Sequence, residues 1–140
     1  MREFSKISPQ LWNSKRFRKL DNDDARYFYL YLLSCEHQTS AGCFRLPVAY
    51  AANDLNWETD RVQDSCAILG KSDMILHDAD TDEVFIRRWF RHSPPTNKKH
   101  AAGIRSYIDR LESEFVAEAA DDEFLKTEWG LKFTESPSSN

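Results

Sequence analysis

The segment from Leu20 to Cys35 constrains this chain more than any other. Leu20-Asp21-Asn22-Asp23-Asp24 places acids where the positive end of a helix dipole favours them, a strong helix-start signal. The helix that follows, about 22–35, carries Ala25, Phe28, Tyr29, Leu32 and Leu33 at i, i+3, i+4, i+7, i+8 spacing. Tyr27, Leu30 and Tyr31 widen the stripe almost all round. Such a helix has to be central, with other elements covering it on several sides.

The neighbouring segments are short and supply that cover. Ser8-Pro9 before Leu11-Trp12 reads as the start of a brief helix. After a polar loop from His37 to Gly42, Cys43-Phe44-Arg45-Leu46 reads as a strand. Pro47 opens a helix burying Val48, Ala51, Ala52 and Leu55, and a third helix over 59–71 buries Val62, Cys66 and Leu69. Met74 to His77 and Glu83 to Phe90 form a hairpin around the acidic turn 78–82. Helix, strand, helix–turn–helix, hairpin is the order of a winged helix-turn-helix. The expected fold is therefore mostly α with a minor β part, a winged helix with a C-terminal helical extension.

Its expected divisions are a domain over 1–92, a Pro94-Pro95 linker over 93–97, a helical extension over 98–128 and an acidic, aromatic tail over 129–140. The extension is expected to hold a helix from Lys98 to about residue 118. Ile104, Tyr107, Ile108, Leu111 and Phe115 form one apolar stripe on it, and the register weakens at 119–122, where a second short helix is expected to start. That stripe, with Phe124 and Trp129, is the candidate partner or self-association surface; packing back onto the domain is its alternative. At 140 residues with 41% hydrophobic and 13% aromatic content, the chain can build a real core. No apolar run approaches the roughly 18 residues of a membrane span, and no secretory signal follows Met1, so a cytoplasmic protein is expected.

No catalytic or cofactor constellation is visible. There is no GxSxG and no phosphate-binding loop, and the chain has only four glycines. Cys35, Cys43 and Cys66 are an odd set without a CxxC pair and read as small core residues. Cys35-x-His37 with Cys43 is the nearest approach to a metal site and lacks a fourth close ligand. A non-catalytic protein with no metal, cofactor or small-molecule substrate is expected.

Charge points to a partner. The net charge is −4, yet residues 1–100 carry 15 Lys/Arg against 14 Asp/Glu, and residues 101–140 carry 4 against 9. Two basic clusters stand out in the nearly neutral body: Lys15, Arg16, Arg18 and Lys19 around Phe17, and Arg87, Arg88, Arg91, Lys98 and Lys99 around Trp89-Phe90. These nine residues are the candidate DNA-binding set, through phosphate contacts. The third helix is a poor recognition helix, because its outward face would carry Asp60, Asp64, Ala67 and Lys71. The hairpin tip, with Asp78, Asp80, Asp82 and Glu83, is equally unsuited to a polyanion.

Lys6-Ile7-Ser8, Leu11-Trp12, Leu20-Asp21, the run from Asp24 to Leu33, Gly42 to Pro47, Ala51 to Trp57, Met74-Ile75 and Trp89-Phe90 together resemble a known family. They are similar to phage replisome organisers related to the DnaD N-terminal domain, over about residues 4 to 95. That resemblance implies a winged helix acting in replication initiation by binding origin DNA, self-associating, or recruiting a helicase or its loader. The alternatives are a protein–protein adaptor or inhibitor without DNA affinity, and a dimeric transcriptional regulator.

Overall fold

In the computed structural model, which describes residues 3–135, the central helix α2 runs Asp23–Ser34. Asn22 stands just outside it as the cap, its side-chain oxygen accepting the Ala25 N–H at 2.9 Å. Ala25, Phe28, Tyr29 and Leu32 are buried. Tyr27 is 57% exposed, so the helix keeps one solvent edge that the breadth of its apolar pattern did not suggest. Before α2, a 3-10 turn (Pro9–Asn13) capped by Ser8 leads to α1 (Lys15–Lys19) capped by Ser14. Phe17 of α1 is buried against Tyr29, with ring centroids 6.0 Å apart.

Beyond α2 come β1 (Cys43–Arg45), α3 (Val48–Leu55), α4 (Thr59–Lys71), β2 (Ile75–Asp78) and β3 (Glu83–Ile86). Asn56, left-handed at φ 57°, ends α3. The strands form one antiparallel sheet in the order β1-β3-β2, with Phe44 opposite Val84 and Leu76 opposite Phe85. The protein is thus mostly helical with a small three-stranded sheet. No helix among the described residues is long and apolar enough to cross a membrane.

Two elements differ from the sequence expectation. The last strand stops at Ile86 instead of continuing to Phe90. Arg88 turns left-handed at φ 62°, and Trp89–His92 form a helical turn, α5. That turn puts the Trp89 ring under the 39–42 loop, where its Nε1–H donates to the Ser40 carbonyl at 3.0 Å. Gly42 packs on this ring with φ +72°, and a Cβ there would lie 2.4 Å from Trp89 Cγ. Gly42→Ala combines left-handed strain with overpacking, so it is expected to cost about 2–4 kcal/mol. A thermal melt checks this, and an unchanged midpoint would contradict the packing described.

The second difference is in the extension. The helix expected to reach about residue 118 ends at Asp109 (α6, Lys98–Asp109), and α7 (Glu114–Leu125) begins after a turn. Ser113 caps α7 by accepting the Val116 N–H. Glu83 holds the turn from the sheet, accepting the N–H groups of Glu112 (3.0 Å) and Ser113 (2.7 Å). Glu83 is only 5% exposed, so it is a buried anchor and not part of the hairpin's acidic tip. A last helix, α8, covers Glu128–Glu135.

The broken helix lets both halves lie on the sheet, α6 against β1 and α7 against β2 and β3. Ile104, Ile108, Val116, Ala120 and Phe124 join the same hydrophobic core as Phe28, Phe85 and Phe90. Pro95, within the expected linker, is buried too. One core therefore runs through both the 1–92 region and the 98–128 extension.

Candidate nucleic-acid interface

Part of each basic cluster meets in space. Capping by Ser14 starts α1 so that Phe17 faces the core, leaving Lys15 and Arg16 exposed. The left-handed turn at Arg88 swings Arg91 out at the end of α5. Lys15, Arg16, Arg87, Arg88 and Arg91 then line a single open groove of about 430 Å³, joined by Lys6 from the N-terminal segment. No Asp or Glu is among the described residues that line it. Its lining is apolar at Leu11, Leu33, Met74 and Ile86, all buried or half-buried and so its floor, and polar at Ser8, Gln10, Asn13 and His92.

These cations are not equivalent. Arg87 is bridged to Glu123 (3.4 Å) and Asp73 (3.6 Å), and Arg88 to Asp73 (3.2 Å). Glu123 also accepts the Arg88 backbone N–H at 2.8 Å. The two adjacent arginines thus fasten α7 and the turn before β2 to the β3–α5 corner, which corrects their expected role as free phosphate ligands. Lys6, Lys15, Arg16 and Arg91 are exposed and form no ion pair among the described residues. Arg18 and Lys19 on α1 and Lys98 and Lys99 on α6 are also exposed, but they do not line the groove.

Arg16, Arg87, Arg88 and Arg91 form a ridge, because they also line a second groove of about 710 Å³. Its far wall carries Glu118, Asp122, Glu123 and Glu128, with Phe90 and Phe115 between. One flank of the ridge is free of acids and the other is acidic.

The alternative docking helix offers little to DNA. On α4, Asp60, Asp64, Ala67 and Lys71 are all exposed. Arg61, the cation nearest its start, is held by both oxygens of Asp24 (2.8 and 2.9 Å) and lies over the Trp57 ring. Those hydrogen bonds keep the Asp24 carboxyl below the usual carboxylate range.

The expected partner stripe does not survive as a surface. Ile104, Ile108 and Phe124 are buried in the chain's own core, while Leu111 and Trp129 are half-buried against it. Tyr107 and Phe115 remain exposed, but on separate surfaces: Tyr107 borders His37 and Thr39, and Phe115 borders the acidic groove.

Among the described residues, one group of metal-ligating side chains comes together, Glu36, His37 and Asp54, with ligand atoms within 4.8 Å of one another. His37 Nε2 lies 3.3 Å from Asp54 Oδ2, which also accepts the Tyr31 hydroxyl. Cys35 and Cys43 are buried free thiols and do not belong to that cluster. Burial pushes the Cys43 thiol up to about 12 and Cys66 up to about 11, and raises Cys35, so none is a reactive thiolate at neutral pH.

Sequence reasoning missed Lys6, the apolar floor and the carboxylates that neutralise Arg87 and Arg88. Asp73 and Glu123 lie far apart in the chain, and no local spacing announces that they converge on the same arginines. Compared with protein-family models, curated protein sequences and solved structures, the chain matches none.

Proposed function

We propose that this chain is a non-catalytic DNA-binding protein built on a winged helix, gripping phosphates at the groove between α1 and α5. The observation that carries the reading is the meeting of Lys15 and Arg16 with Arg91 around an acid-free groove, all three exposed and without ion-pair partners among the described residues. Cations in that state release counterions when they meet phosphates, which supplies sequence-independent affinity. The order α2, β1, α3, α4, β2, β3 supports the winged-helix architecture. A part in replication initiation of the phage or prophage type is proposed on the resemblance alone.

Fluorescence anisotropy with a labelled mixed-sequence oligonucleotide tests the DNA reading. Three phosphate contacts give an expected loss of about 40-fold in affinity between 50 and 200 mM salt. Lys15→Ala/Arg16→Ala/Arg91→Ala should abolish measurable binding, and Lys98→Ala/Lys99→Ala should leave it within about twofold. Absence of binding at 50 mM salt, or full affinity in the triple variant, would refute the reading.

Self-association belongs to the same proposal, now narrowed to Phe115. This ring is 50% exposed beside the acidic residues Glu114, Glu118 and Asp122 of α7. Phe115→Ser leaves the core intact, so it should lower the mass seen by light scattering without moving the thermal midpoint. A monomeric parent protein would remove self-association from the proposal.

A further inference from the structure

We infer that the acid-free groove accepts an unpaired strand of DNA in preference to a duplex, an inference that rests on the DNA reading above. The volume comes first. At about 430 Å³ the groove has the size of a small-ligand cleft, enough to take up a base with its sugar, which only an unpaired strand can offer.

The floor is the second argument. Ile7, Leu11 and Leu33 give the groove an apolar bed backed by the buried Met74 and Ile86, and Lys6, Lys15, Arg16 and Arg91 line the same groove. A duplex hides its base faces within the stack and shows such a bed only sugar and phosphate. An unpaired strand carries flat, sparingly hydrated base faces beside its phosphates, so it can bury the bases on the floor while these cations take the charge.

The surroundings are the third. A duplex carries two phosphate rows, separated by about 12 Å across the major groove. With one row on the ridge formed by Arg16 and Arg91, a second row on the side of the larger groove would face Glu118, Asp122 and Glu128, which line it. Like charges repel there, whereas a single strand confined to the acid-free side avoids them.

The test uses the full chain with a fluorescein-labelled 12-mer of deoxythymidine and a labelled 12-base-pair duplex at 100 mM salt. The single strand is expected to bind at least tenfold tighter. Ile7→Ala/Leu11→Ala should weaken the single strand about fivefold and leave the duplex within twofold, with circular dichroism confirming an unchanged melt. Should that variant melt early, Ile7→Ala alone repeats the comparison at a side chain already 40% exposed. Equal or tighter duplex binding would overturn this inference while leaving the DNA reading in place, as would an equal loss for both ligands in the floor variant. If neither oligonucleotide binds but a labelled acidic peptide carrying one phenylalanine does, the groove is a peptide site and both readings fall.

Discussion

A chain cut after Ser93 is expected to lose cooperative folding, although the expected domain boundary lies there. Removing the extension strips Ile104, Ile108, Val116 and Phe124 from the core, each no more than 3% exposed. Burial of such side chains contributes about 1.5–3 kcal/mol apiece, so roughly 6–12 kcal/mol is at stake. That matches the whole stability of a typical domain, about 5–15 kcal/mol. The cut also bares Phe90, which packs between Phe85 and Phe124 of the extension, and aggregation should follow. Thermal unfolding followed by circular dichroism checks this. A sigmoidal melt at the full-length midpoint would show that residues 1–93 are an autonomous unit.

The second large effect is expected at Glu83. Its buried carboxylate forms no ion pair among the described residues; Arg45, opposite it on β1, pairs instead with Asp82 at 3.9 Å. The charge is held by two backbone N–H donors at the α6–α7 turn. Glu83→Ala leaves the buried Ser113 N–H without an acceptor, about 1–3 kcal/mol, leaves the N–H of the exposed Glu112 to water, and adds a small cavity. The sum is about 2–4 kcal/mol, seen as a fall of about 1–2 M in the urea midpoint. Glu83→Gln keeps an acceptor oxygen but loses the charge, so roughly half the effect is expected. Hydrogen exchange at the Glu112 and Ser113 amides should accelerate in both variants. A Glu83→Ala protein within about 0.5 kcal/mol of the parent would show that packing alone holds the turn.

Much of this architecture was legible residue by residue. The acids before Ala25 mark the start of α2, Pro47 introduces α3, and the spacing of Val62, Cys66 and Leu69 marks α4, because helix caps and the 3.6-residue period act within a few positions. The misreadings share one cause. Alternation should place Glu83 outside a half-exposed strand, but β3 is the central strand and all four of its residues are buried. The stripe from Ile104 to Phe115 has an unbroken helical period, and Ser113 before Glu114 was the one local sign that the helix restarts there.

The candidate site divides in the same way. Charge clustering marked Lys15, Arg16 and Arg91 from the outset, and it marked Arg18, Lys19, Lys98 and Lys99 with equal weight. What separates them is the direction in which each side chain leaves its element, set by the burial of Phe17 in α1 and the left-handed turn at Arg88.

The amino-acid order alone determined the helical class, the succession of elements and the presence of two cationic clusters, since periodicity, capping and charge density are local properties. Only the folded chain decided that one core joins body and extension and that Arg87 and Arg88 are tied to Asp73 and Glu123. It alone decided, too, which cations share an acid-free groove. Those outcomes depend on distances between residues from 14 positions apart, as with Asp73 and Arg87, to 85, as with Lys6 and Arg91, and packing of the whole chain sets such distances.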